Sequence, residues 1–289
     1  TFGWSNLAEI AGLDELFAQS YPEANEESIM RFLIEDANNP SSIFSCIKYA
    51  RENTRTLREV LPAEMWELIN SLYLFVRDKA AIACSSRRER YMVLNEIIQQ
   101  RHAIVGLFSS TMPHDDAYQL IKLGRNIERA DMTTRILDLH SAIRFPDKSV
   151  VQEPLVERIW KSTLDSLSAY QTYRRLISMQ VRRNDAVRFL LQDMRFPRSV
   201  AHCLSEMELC FQLMPKSQQL QQLTALLRLK IAQHVTADLD AVALHEYLDL
   251  LQMELGAIHD ALLQNYFHAW QDCVIPTNQP QDELEFAQQ

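Results

Sequence analysis

The residues best equipped for chemistry lie in one stretch, Leu123-Gly124-Arg125-Asn126-Ile127-Glu128-Arg129-Ala130, with Asp131 and Arg135 just beyond. At helical spacing Arg125 neighbours Glu128 and Arg129, and Asp131 neighbours Arg135. Two readings fit this pattern. One is a ladder of exposed ion pairs, each contributing about 0.3–0.5 kcal/mol. The other is an anion-binding or partner-binding patch of fixed guanidinium forks. Gly124 inside a helix is about 1 kcal/mol worse than Ala, which predicts a compensating feature such as close approach of a second helix.

A second constellation runs from Ala50 to Glu59, where Arg51, Arg55 and Arg58 share one helical face. It is either a solvated charged face or a second binding surface. His114-Asp115, at a predicted helix start, can serve as an acid/base pair or can simply solvate and compensate the helix end. No glycine-rich dinucleotide or phosphate loop, no G-x-S-x-G and no H-E-x-x-H is present. A di-iron bundle needs Glu-x-x-His pairs, and none of the eight histidines has Glu three residues before it. No metal and no cofactor are expected.

The elements that position these residues are helices. Gly is scarce (five in 289 residues), and Leu, Ala, Glu, Gln and Arg are abundant. Apolar residues recur at helical spacing over about 5–18, 25–36, 41–60, 63–80, 86–110, 114–143, 153–179, 184–193, 198–213, 216–235 and 240–270. The fold class is therefore all-α. Asn39 is the predicted N-cap of the third of these, with Pro40 in its first turn. Phe145-Pro146-Asp147 marks a junction, and the chain turns polar from Cys273 onward.

The chain also repeats itself. Residues 31–46 and 188–203 share seven of sixteen positions without a gap, at an offset of 157. A period this long points to a duplicated module rather than a stacking unit of about 20–50 residues. The expected organisation is a helical bundle of two modules: 1–145 with the long connecting helix, 146–272, and a tail over 273–289. Arg31 with Asp36 recurs as Arg188 with Asp193, read as an internal brace in each copy. Arg51 and Arg55 instead face Glu208 and Gln212 at the same offset, so those arginines are not shared. The helix holding Gly124 lies 64 residues before Arg188, and the same step back from Arg31 falls before the chain begins. The first module is thus expected to lack its N-terminal helix.

A net charge of −9 argues against general affinity for nucleic acid, which needs clustered Lys and Arg. Arg87-Arg88-Glu89-Arg90 and Arg182-Arg183 are too short to outweigh it. The five cysteines, Cys46, Cys84, Cys203, Cys210 and Cys273, form no C-x-x-C and read as small buried hydrophobes in a reducing, cytoplasmic compartment. No apolar run reaches the ~18 residues a membrane span needs.

Four segments in order resemble one family: Pro-Ser-Ser-Ile at 40–43, Ala-Arg-Glu-Asn-x-Arg-x-Leu-Arg-Glu at 50–59, Met-x-His-Asp-x-x-Tyr at 112–118, and Leu-Gly-Arg-x-Ile-Glu-Arg-Ala-Asp-Met-Thr-Thr-Arg at 123–135. Together they resemble the bacterial alpha-E domain proteins, from about Trp4 to Trp270. The resemblance implies an all-helical fold and a Gly-Arg-x-x-Glu-Arg helix at the start, placing the first residue here about 45 residues late. It places Arg51, Asn53, Arg55, His114, Asp115, Tyr118, Gly124, Arg125, Glu128, Arg129, Thr134 and Arg135 at the family's motif positions. It also implies an association with a circularly permuted ATP-grasp protein and a transglutaminase-like protease, hence with amide-bond chemistry on peptides.

The leading expectation is an accessory helical protein that binds the ligase partner or its peptide through Arg51, Asn53, Arg55, Tyr118, Arg125, Arg129 and Arg135. The rival is an enzyme of peptide or amide chemistry, with His114, Asp115 and Glu128 as acid/base groups and the arginines holding a carboxylate or phosphate, in a closed pocket between helices 41–60 and 114–143. A dimerising scaffold is the third reading.

Overall fold

The computed structural model describes residues 3–141, 152–233 and 239–267. The junction at 145–147, Trp270, Cys273 and the tail lie outside these residues. Thirteen helices and no strand occur among the described residues: α1 (Ser5–Ile10), α2 (Asp14–Ser20), α3 (Glu26–Ile34), α4 (Ile43–Thr56), α5 (Ala63–Ser85), α6 (Arg87–Thr111), α7 (Asp116–Ser141), α8 (Gln152–Ser166), α9 (Tyr170–Leu176), α10 (Arg183–Gln192), α11 (Val200–Leu213), α12 (Gln218–Gln233) and α13 (Ala241–Tyr266). None is long and apolar enough to cross a membrane.

Two helices expected to be continuous are each broken. Gly12 adopts φ +66° and ends α1, with its N–H donating to the Glu9 carbonyl and the Leu13 N–H reaching back to that of Ala8. A left-handed residue after a helix closes its last carbonyls in this way, and Gly adopts it without Cβ strain. Ser168 (φ +53°) does the same after α8, with Ser168 bonding to Asp165 and Ala169 to Leu164. A serine is an unusual choice there, so no residue type announced this second break.

Asn39 does not cap α4. Its buried side chain donates to the Phe32 carbonyl and accepts from the Ser41 N–H, while Ser42 caps the helix by accepting from the Ser45 N–H. Ser199 caps α11 identically, accepting from His202. The internal braces also differ from expectation. Arg31 pairs with Glu27 and Glu35, and Asp36 accepts from the Tyr21 hydroxyl. Asp193 pairs with Arg195 rather than Arg188. Around Arg31 acceptors nearer in sequence take the guanidinium, and at Asp193 a nearer donor, Arg195, takes the carboxylate.

Several local arrangements recur at offsets of 156 or 157: the Gly12 and Ser168 helix ends, the edge-on ring pairs Phe17–Phe32 and Tyr173–Phe189, and the Cys46 and Cys203 thiols against the Pro40 and Pro197 carbonyls. α4 and α11 are both 14 residues long.

The core is unevenly divided. One large apolar cluster joins Leu123, Ile127, Ala130 and Leu137 of α7 to residues from α8 through α13. The helices before α7 share three smaller clusters, around Val76, Phe32 and Phe108. α7 packs chiefly on α11 and α13, with further contacts to α1, α8 and α10. Helical spacing predicts a packed stripe of Leu120, Leu123/Gly124, Ile127, Ala130/Asp131, Thr134 and Leu137. Of these, Leu123, Ile127, Ala130, Thr134 and Leu137 form the buried stripe, whereas Leu120 and Asp131 are only partly buried. Gly124 is not part of it: the residue is exposed, and a Cβ there would meet nothing within 4 Å. The expected close approach of a second helix is absent at this position.

Candidate functional site

On α7 the charged residues separate by direction. Asp131 and Arg135 form an ion pair at 2.6 Å, and Arg135 lies against Gly12, where a Cβ would come within 2.9 Å of its guanidinium. Arg135 thus faces α1, lining a small recess with Asn6, Asp138 and His245. The expected Arg125–Glu128 pair does not form. Glu128 is exposed and lies within electrostatic reach of Cys46 on α4, whose thiol it helps to push up. Partial burial, then the Asp131 charge, raise the Glu128 pKa, and Arg135 opposes them.

Arg125 and Arg129 point elsewhere, and neither has an ion pair among the described residues. The Arg125 guanidinium lies 5.6 Å from the centre of the Phe108 ring on α6, and its Nε is buried with no hydrogen-bond partner. Phe108 stacks on Tyr118 at 4.5 Å, and Tyr118 stacks on His114 at 4.1 Å, forming an aromatic column behind the arginine. One turn beyond Arg129 on the same face, the Thr133 hydroxyl donates to the Arg198 carbonyl at 2.8 Å. This bond fixes the segment leading into α11 against α7.

The result is a cluster of four arginines from three places: Arg125 and Arg129 on α7, Arg101 on α6 and Arg198 before α11. All four are half-buried. Burial, then the Arg125, Arg198 and Arg101 charges, hold the Arg129 pKa below the usual guanidinium value. Burial and then Arg101 do the same to Arg198. As a scale, two unit charges about 4 Å apart repel by about 4 kcal/mol at an effective dielectric of about 20. Other basic side chains meet carboxylates: Arg87 and Arg90 converge on Glu26, Arg228 meets Glu208 and Lys122 meets Glu206. Cys203, buried beside the cluster, has its thiol pushed up to about 12 by burial despite the neighbouring guanidinium charges, so it stays neutral.

The remaining expected site residues do not join this cluster. Arg51 is held by α5 and its own helix, with its Nε donating to Asn70, a pair to Glu52 and its guanidinium over the Tyr73 and Trp66 rings. Arg55 pairs with Glu52, and Asn53 is exposed on α4. Tyr118 is buried in the aromatic column. Asp115 accepts from the Tyr118 N–H as a helix cap, which occupies one of its oxygens with a structural bond. A cavity of about 890 Å³ lies away from the four arginines, lined by Tyr21, Glu26, Arg31, Asp36, Cys84 and Arg87.

Sequence reading found Arg125 and Arg129 and missed Arg101 and Arg198. Arg198 carried a usable signal, because its counterpart at the 157 offset is Ser41. Arg101 carried none, since an isolated arginine in a long helix resembles any solvated position.

No curated protein and no solved structure matches the chain. A family model, Alpha-E, described as a predicted alpha-helical domain with a conserved ER motif, matches residues 1–267. With nearly its whole length matched, and Glu128-Arg129 standing as such a dipeptide beside the arginine cluster, the chain belongs to the Alpha-E family.

Proposed function

We propose that this protein is a non-catalytic binding component of an ATP-grasp-associated system that makes or tags peptides through amide bonds, engaging the ligase or its peptide at Arg101, Arg125, Arg129 and Arg198. The observation that carries the reading is that, among the described residues, four neighbouring arginines have no carboxylate partner in a chain of net charge −9. Half-buried like charges left facing one another disfavour the fold, and an anionic partner relieves that. The tie to a ligase rests on the motif resemblance at 50–59, 112–118 and 123–135. The test is co-purification of the circularly permuted ATP-grasp protein with the full chain and with an Arg125→Gln/Arg129→Gln variant. Since a hydrogen bond to a charged group contributes about 1.5–3 kcal/mol, the variant should lose binding on the order of tenfold or more. Equal recovery with both forms would sink the proposal.

Glu128 supports a second reading, direct catalysis. A carboxyl whose pKa is raised by partial burial and by the neighbouring Asp131 charge is a candidate proton carrier. Turnover of an amide substrate that survives Glu128→Gln unchanged would dismiss it. We further infer that α1–α6 and α8–α13 are copies of one module, a view supported by the bonds recurring at offsets of 156 and 157.

A further inference from the structure

The composition of the arginine cluster bears on what it holds. Its four cationic groups are all guanidiniums, planar forks that offer parallel N–H donors to tetrahedral oxyanions, with no lysine among them. They arrive from separate elements yet converge. Arg125 and Arg129 are one turn apart on α7, and Thr133 continues that face and grips the Arg198 carbonyl. Arg125 spreads over Phe108 of α6, and Arg101, two turns earlier on that helix, lies within electrostatic reach of Arg129 and Arg198. One donor, Arg125 Nε, is buried with no acceptor among the described residues, so the fold leaves the hydrogen-bonding capacity of this guanidinium incompletely met.

We propose that Arg101, Arg125, Arg129 and Arg198 form a binding site for a phosphoryl anion: a phosphate monoester or a diphosphate. A carboxylate brings one charge and two oxygens, too few to neutralise or satisfy four forks. A phosphate monoester brings close to two charges and three terminal oxygens, and a diphosphate brings more of each. The neutral Cys203 thiol and the Phe108–Tyr118 stack supply apolar walls that limit competition from water. This inference rests on the reading above that the cluster is the binding site, and it names the chemistry of the ligand.

The experiment is isothermal titration of the full chain with inorganic phosphate, pyrophosphate, adenosine diphosphate and acetate at matched ionic strength, repeated on Arg125→Gln, Arg129→Gln, Arg198→Gln and Arg77→Gln. Arg77 serves as control because it is exposed and pairs only with Asp78. Pyrophosphate should bind at least about tenfold tighter than acetate, and each cluster variant should weaken it by about tenfold or more while Arg77→Gln leaves it unchanged. Preference for adenosine diphosphate over pyrophosphate assigns the group to a nucleotide; equal binding assigns it to a free or otherwise carried phosphoryl group. Ligand-free cluster variants should melt no lower than wild type, since each removes a charge repelled by its neighbours. Acetate binding as tightly as pyrophosphate, or variants that retain wild-type affinity, would overturn the assignment. If an acidic peptide is held through these arginines while pyrophosphate is not, the phosphoryl inference falls and the binding-site reading stands. If neither ligand depends on them, both fall.

Discussion

α4 and α11 have the same length, the same serine cap and the same thiol-to-carbonyl contact, and they lie 157 residues apart, yet their surroundings are opposite. On α11, Cys203, Met207 and Cys210 are fully buried. On α4 the corresponding Cys46, Ala50 and Asn53 are exposed, with Tyr49 51% exposed beside them. α7 makes the difference. It runs antiparallel over α11, with Arg129 near Cys203, and with Lys122 near Cys210 and paired to Glu206. One covering helix converts a surface into a core, and Arg125 and Arg129 lie on its flank.

Thiol chemistry gives the largest contrast. Alkylation of the native protein should label Cys46 at a rate rising with pH as its thiolate forms, while Cys203, buried and pushed up to about 12, labels only when the protein opens. Glu128→Gln should speed labelling of Cys46 by removing a nearby negative charge that holds its thiol up, after burial. Comparable rates at the two cysteines would break the comparison. Next comes packing. Met207→Ala, which gives α11 the residue α4 carries at that position, should lower stability by about 2–5 kcal/mol in urea denaturation. Tyr49→Ala on the open face should cost less, nearer the ±0.5 kcal/mol of surface changes. Smallest is Gly124→Ala. With open space around the position, it should stabilise the fold by up to about 1 kcal/mol, read as a rise in the urea midpoint. A loss of stability there would mean that the backbone itself needs glycine.

Periodicity exposed the helices and most of the buried stripe of α7, failing at Gly124, which is exposed. The failures have local causes. Ser168 breaks a helix without glycine or proline, so it left no compositional mark. At the start of α4, Asn39 and Ser42 both had the chemistry of a cap, and only the fold shows that Asn39 is needed for the Phe32 carbonyl. Spacing correctly put Arg125 beside Arg129, because both depend on one helix alone. It paired Arg125 with Glu128 wrongly, because the direction a long side chain takes is set by neighbours such as Phe108 that are distant in sequence. Arg101 and Arg198 were missed for the same reason: convergence of three elements is a property of tertiary packing.

The divided core also sets a schedule for opening. Amides of α7 and α11, inside the single large cluster, should exchange with solvent only in the rarest excursions, whereas α6, resting on two smaller clusters, should open more often. Three of the four clustered arginines belong to the slow part and Arg101 to the fast one. An anion gripping all four would bridge that boundary like a rivet, and slower deuterium uptake along α6 would record its arrival.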